Sequence, residues 1–232
     1  MKLSKETIAI MKNFAGINAN LMLKSGNKLV TISPHKTVMA SAQISENLAI
    51  NGSGQFGIYE LNDFLSAYSL MDDADLSFTD TYCIMTKGSQ KIKFYSASPE
   101  MLLTPSKDSL PVSSDISFDL KAADLDVISK SASVLKVNDI SIIAKDGKIS
   151  VEVADKKTKT AGSSPSTINA FSIDIGTSDK EFKVNMKIEN LQKIALTDYN
   201  VTVDSKKLSK FSAVKGSLVY YLAIESDSVV SK

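Results

Sequence analysis

The sequence predicts an α+β chain of two similar domains, each carrying two helices on one face of antiparallel sheet. An apolar pattern at i, i+3 and i+7 occurs at Ile8, Met11 and Ala15, and again at Leu61, Phe64 and Tyr68. It returns at Leu125, Ile128 and Ala132, and at Ile188, Leu191 and Ala195. At 3.6 residues per turn, each set falls on a single helical stripe. Alternating segments follow, such as Ile140 and Ile142, then Ile149, Val151 and Val153, as expected of strands with one apolar face. Finally, Pro99, Pro105 and Pro111 break all periodicity between 97 and 116. These features divide the chain into a domain over 1–98, a connector over 99–116 and a second domain over 117–232. Repeats of this kind stack side by side, and stacking can close into a ring.

The first helix is expected from Leu3 to about Asn18, with Ser4 as its N-cap. Strands at 20–24 and Lys28–Ile32 flank Ser25-Gly26-Asn27, a glycine turn of hairpin type. Less regular strands run to residue 50, and a second helix spans Glu60 to Leu70. Strands follow at Leu76–Phe78, Thr81–Thr86 and Lys91–Ser96. Beyond the connector, Phe118-Asp-Leu120 leads into a third helix ending near Leu135. A hairpin about Asp146-Gly147 joins Ile140–Lys145 to Lys148–Val153, in parallel with the Lys24–Lys28 turn of the first half. Residues 156–165 form a polar loop, and strands near Ala170–Ile175 and Glu181–Val184 precede a fourth helix from Lys187 to Leu196. Strands at Tyr199–Val203, Lys207–Ala213 and Leu218–Ile224 complete the second domain.

Composition narrows the function. A chain that is 43% hydrophobic and 23% charged can bury a core, and no apolar run approaches the roughly 20 residues that span a bilayer. The single cysteine, Cys83, excludes an internal disulfide and fits a reducing compartment. The start, MKLSKET, leads directly into an amphipathic helix without a leader-like apolar region, so a cytoplasmic location is expected. Net charge is +1, and every cation is a lysine, because the chain contains no arginine. Lysine lacks the planar fork that reads base edges but meets phosphates without regard to sequence.

With the helices covering one sheet face, their opposite faces form a shared surface. Lys5 and Lys12 lie on the outer face of the first helix, seven residues or about 10 Å apart. The third helix offers Lys121, Lys130 and Lys136 with Ser129 and Ser133 between them, the fourth offers Lys187 and Lys193, and the second offers no cation.

Enzymatic features are weak. Gly52-Ser-Gly54-Gln-Phe-Gly57 spells G-x-G-x-x-G, but no parallel βαβ pattern surrounds it, so a dinucleotide site is not expected. Asp72, Asp73 and Asp75 form a turn of the kind that solvates carboxylates, and His35, the only histidine, has no nucleophile beside it. No catalytic residue, cofactor or metal is expected. The competing reading is a structural protein or a single-strand DNA-binding β-rich protein. Single-strand binders use aromatic stacking platforms, whereas the aromatics here fall at core-like positions and tryptophan is absent.

Several segments carry a family resemblance. MKLSK-x-T, KNFA-x-IN and MLKSG at the start resemble the sliding clamp of T-even-type bacteriophages. So do Tyr59-x-Leu61-Asn62-x-Phe64-Leu65 and the closing Tyr221-Leu-Ala-Ile-Glu-Ser-Asp-Ser228. The resemblance implies a DNA clamp fold and a homotrimeric ring, a DNA polymerase processivity factor around duplex DNA in the cytoplasm of an infected bacterial host. Four helices per subunit in three subunits would give twelve lining the hole. A clamp loader ATPase would open the ring, the replicative DNA polymerase would dock by its C-terminal peptide, and late transcription factors would use the same ring.

The resemblance also assigns roles. Lys5, Lys12, Lys121, Lys130, Lys187 and Lys193 would face DNA, where relatives commonly place arginine. Phe94 and Tyr95 on one edge strand, with Phe171 and Ile173 on another, would join subunits. Met101, Leu102 and Leu103, with Tyr221, Leu222 and Ile224, would form the pocket for the polymerase peptide.

Overall fold

A computed structural model describes residues 1–71, 73–154, 169–204 and 208–230. It divides into two compact units, Met1–Ser109 and Leu110–Lys232, and all named strand ladders within them are antiparallel.

The N-terminal unit runs α1 (Lys5–Ala15), β1 (Leu21–Lys24), β2 (Gly26–Ile32), β3 (Val38–Leu48), β4 (Gln55–Ile58) and α2 (Leu61–Leu70). It closes with β5 (Asp75–Phe78), β6 (Tyr82–Lys87) and β7 (Gln90–Tyr95). Helix α1 takes the predicted Ser4 cap, whose hydroxyl accepts from the Thr7 N–H at 3.1 Å, so it begins at Lys5 rather than Leu3 and ends at Ala15 rather than near Asn18. Strand β3 reinforces this start through Glu46, whose carboxylate accepts from the Ser4 N–H and, at 2.5 Å, from the Thr7 hydroxyl. Helix α2 buries Leu61, Phe64, Leu65 and Tyr68. Phe64 meets Phe56, Phe78 and Phe94 with ring centroids 6.5, 6.5 and 5.2 Å away, so one aromatic cluster joins the helix to three different strands.

The C-terminal unit runs β8 (Ile116–Leu120), α3 (Ala122–Leu135), β9 (Asp139–Lys145), β10 (Lys148–Ala154), β11 (Ala170–Thr177) and β12 (Phe182–Lys187). There follow α4 (Ile188–Leu191), β13 (Tyr199–Val203), β14 (Leu208–Ala213), β15 (Val219–Ala223) and β16 (Val229–Val230). One sheet has the order β11-β10-β9-β12-β16, and β15, β14, β13 and β8 pair in that order. Helix α3 packs on β10 and β11, burying Leu125, Ile128 and Ala132 as the spacing predicts.

Three expectations change. The buried stripe of α1 is Thr7, Ile10, Met11 and Phe14, with Ile8 and Ala15 only half-buried. A hydrophobicity pattern passes over Thr7, whose hydroxyl is buried because Glu46 engages it. The fourth helix is a single turn, Ile188–Leu191, rather than a helix to Leu196. Beyond it the Ala195 N–H donates to the Tyr220 hydroxyl at 3.1 Å, and the Ala195 carbonyl accepts from the Tyr199 hydroxyl at 2.5 Å. Two buried tyrosines thus take the backbone groups that a longer helix would use, and Ile194 replaces Ala195 in the core.

The Ser25-Gly26-Asn27 segment is not a hairpin turn. Strand β1 pairs with β4, matching Leu21 to Ile58, while β2 pairs with β3, so the chain changes sheets there with Gly26 at φ 116°. By contrast Asp146-Gly147 is a two-residue hairpin, with both φ values positive as a type I′ turn requires. Within residues 97–116 the connector is tacked to its own unit. Pro99–Met101 is a 3₁₀ turn, Leu102 is buried, and the Leu103 N–H donates to the Asn20 side chain at 3.1 Å. The polar loop read at 156–165 lies outside the described residues.

Burial alone would raise the Glu46 carboxyl, but the Thr7 hydroxyl and Ser4 N–H outweigh it and hold the group at about 2. A folded value below the unfolded one stabilises the fold above pH 4.5, and this is lost as pH falls toward 2. Glu46→Gln should therefore lose about 1 kcal/mol at pH 7, after allowance for solvent screening, and flatten the acid limb of the stability curve. Urea denaturation across pH 2–7 measures both.

Candidate nucleic-acid interface

The exposed residues of α1 are Lys5, Glu6, Ala9 and Lys12, with the C-cap Gly16 beyond them, so Ala9 lies between two cations. Among the described residues, neither lysine has a carboxylate within 4.0 Å. Lys12 also lies in the last turn of α1, where the helix dipole favours a cation. Helix α2 exposes Asn62, Asp63, Ser66, Ser69 and Leu70, none of them cationic.

The cations of the C-terminal unit are held differently. Lys130 is paired one turn away with Asp126 at 2.6 Å. Lys121, at the N-cap of α3, lies 3.9 Å from Asp198, whose other oxygen accepts from the Ala122 N–H at 2.8 Å and caps the helix. Lys187 contacts Asp139 at 2.6 Å, and the Asp139 side chain is only 5% exposed. Lys193 is half-buried in the turn beyond α4. The exposed face of α3 is otherwise mostly apolar: Ala123, Val127 and Val134 align with Lys130 at i, i+4, i+11 and i+7, beside the exposed Ser133. Of the three carboxylates, only Asp126 was legible from spacing, four residues before its lysine.

Two strand edges stand out. Strand β7 ends the sheet β5-β6-β7, and β11 ends the sheet β11-β10-β9-β12-β16. Phe94 is half-buried against Phe64, Tyr95 is 67% exposed, and Phe171 and Ile173 are half-buried on β11. Among the described residues both edges thus have unpaired backbone groups beside partly covered apolar rows, the arrangement that accepts another strand.

Residues 117–226 match the gp45 sliding clamp, C terminal family, and residues 4–103 match the DNA polymerase processivity factor family. The chain is similar to the sliding clamp of Vibrio phage KVP40, 33% identical over 97% of this chain and 100% of that one. It belongs to the phage sliding-clamp family. Similarity to the sliding clamp of Enterobacteria phage T4 is 32% over 98% of each chain. Among solved structures, the PCNA2-PCNA3 complex from Sulfolobus tokodaii matches with a TM-score of 0.68 at 13% identity, over 98% of this chain and 100% of that one. The fold is therefore the DNA clamp fold, and the family is one of non-catalytic accessory proteins.

Clamp membership accounts for the weak enzymatic features. The G-x-G-x-x-G segment lies between and within antiparallel strands: Gly52 and Gly54 take positive φ, and Gly57 pairs with Met22 on β1. A Cβ at Gly57 would stand 2.4 Å from the Ala97 carbonyl oxygen, so this glycine serves close chain approach. Asp73 pairs with Lys2 at 2.5 Å and Asp75 with the N-terminal amine at 3.7 Å; Asp72 is outside the described residues.

The expected peptide-pocket residues divide between the units. In the N-terminal unit Met101 is 60% exposed, Leu103 half-buried and Leu102 buried. In the C-terminal unit Tyr221, Leu222 and Ile224 are buried. Near the connector, the N-terminal unit has a cleft of about 230 Å³ lined by Met22, Lys24, Lys28, Val30, Thr104 and Pro105.

Removing Lys187 would take from the buried Asp139 carboxylate the ammonium 2.6 Å away. Lys187→Ala should cost about 1–2 kcal/mol, less than a fully buried pair because Lys187 is 40% exposed. Lys12→Ala should change stability by under about 0.5 kcal/mol. Denaturant midpoints of the two variants test this contrast.

Proposed function

We propose that three copies of this chain form a closed ring around duplex DNA and tether a replicative polymerase to its template. The observation that carries this reading is the match to phage sliding clamps along both units. The unpaired β7 and β11 edges support it, since one lies in each unit and a ring needs two distinct ends per subunit. Sliding clamps bind DNA and the peptides of polymerases and other partners. For this chain the finer assignments are the polymerase C-terminal peptide, a clamp loader ATPase and late transcription factors, all in the cytoplasm of the infected host. Met101 and Leu103 offer apolar surface for such a peptide.

The mechanism is topological. A closed ring leaves duplex DNA only over an end, so it keeps a bound polymerase at high local concentration without gripping the helix. Weak, mobile phosphate contacts suit that purpose. Lysine point charges supply them, and pairing at Lys121, Lys130 and Lys187 lowers their strength further. Lys5 and Lys12 are then the main phosphate contacts, with Lys193 as a further contact.

Loaded rings should persist on nicked circular DNA and be lost when the circle is cut, as read by gel filtration of labelled protein. Equal retention on both forms would overturn encirclement. In anisotropy titrations with a short duplex, each lysine meeting a phosphate should contribute about 0.9 to the slope of log affinity against log salt. Lys5→Ala with Lys12→Ala should flatten that slope more than Lys121→Ala with Lys130→Ala.

A further inference from the structure

The two free edges carry opposite charge. On β7 the residues facing away from the core are Lys91, Lys93 and Tyr95, all exposed, while Ile92 and Phe94 face inward and are half-buried. The Lys93 ammonium stands 4.0 Å from the centroid of Tyr82 and 4.9 Å from that of Tyr95, which fixes it on the outer face. On β11 the outward residues include Ser172 and Asp174, and Glu152 lies beside Ser172 on the neighbouring β10. Phe171, Ile173 and Ile175 form the inward, half-buried row. Among the described residues, none of Lys91, Lys93, Glu152 and Asp174 has an opposite charge within 4.0 Å. Lys148, the cation on β10, is at its far end across from Thr177.

We propose that this charge pair selects the subunit joint: β7 of one copy, through Lys91 and Lys93, accepts only β11 of the next, through Asp174 and Glu152. The inference rests on the ring reading above and concerns what enforces its head-to-tail order. Two antiparallel registers seat both Ile92 and Phe94 on the apolar row of β11. With Phe94 opposite Ile173, Lys93 falls opposite Asp174; with Phe94 opposite Phe171, Lys91 does. Either register therefore places a lysine directly against that carboxylate, where cross-strand side chains are neighbours. The wrong pairings are penalised. Joining β7 to β7 gathers four lysines on one face, and joining β11 to β11 gathers four carboxylates. Like charges reject both, so specificity arises from repulsion as much as attraction. Lysines on an edge also serve simply to deter aggregation, a role that would need no acidic counterpart.

Light scattering and sedimentation equilibrium on the full chain separate these roles, with thermal melts confirming that each variant folds. The wild type should assemble at low salt and loosen as salt rises. Lys91→Glu with Lys93→Glu, and separately Glu152→Lys with Asp174→Lys, should each weaken assembly on the order of 100-fold. The fourfold variant carrying both reversals should assemble again. A mixture of the two double variants should form open alternating chains and even-numbered rings but no closed trimer, because alternating charges cannot close a ring of three. If the wild type forms a trimer and both double variants do so equally well, charge selection is wrong while the ring stands. A wild type that stays monomeric at all concentrations overturns the ring and the joint with it.

Discussion

An open antiparallel sheet in water must cover its apolar face, and that demand organises both units. In the N-terminal unit α2 meets it by setting Phe64 among Phe56, Phe78 and Phe94. In the C-terminal unit α3 meets it with Leu125, Ile128 and Ala132 over β10 and β11. Each large apolar side chain removed from water contributes about 1.5–3 kcal/mol, so these short rows account for much of the packing between helix and sheet. Because the helices are committed to one face, they have an opposite face free for other work. The sheets also keep ends, since covering a face does nothing to pair an edge.

Those free helix faces differ in charge. Helix α1 is fixed by the Ser4 cap and by Glu46 reaching across from β3, and among the described residues its Lys5 and Lys12 have no carboxylate within 4.0 Å. In the C-terminal unit, Asp126, Asp198 and Asp139 each take up a lysine, and Asp139 does so from a buried position. Cations held this way attract a polyanion unevenly and weakly. That suits a protein whose hold on DNA depends on enclosure, because strong phosphate contacts would slow its sliding.

The strand edges complete the picture. β7 and β11 combine unpaired backbone, partly covered apolar rows and outward charges of opposite sign. An edge of this kind invites strand addition, and natural proteins protect such edges when they must stay single. Here the charges serve better as a rule for which strand may be added. The glycine-rich segment preceding α2 has a different purpose: Gly57 lets β4 approach the Ala97 backbone, so its resemblance to a nucleotide loop arises from packing.

The sequence by itself determined the helix stripes of α2 and α3, the Ser4 cap, the Asp146-Gly147 hairpin and the all-lysine cation set. These features depend on residues within a few positions of one another, where backbone geometry leaves little choice. Its terminal segments also carried enough likeness to indicate the clamp family. Tertiary structure decided the rest. Burial of Thr7 required Glu46 from a distant strand, and the early end of α4 required Tyr199 and Tyr220. The sheet change at Gly26 depended on β4 being available to pair with β1, and the pairing of Lys187 depended on Asp139 from β9. Each outcome is set by a partner remote along the chain, and periodicity records only which face a residue prefers, not what it will meet there.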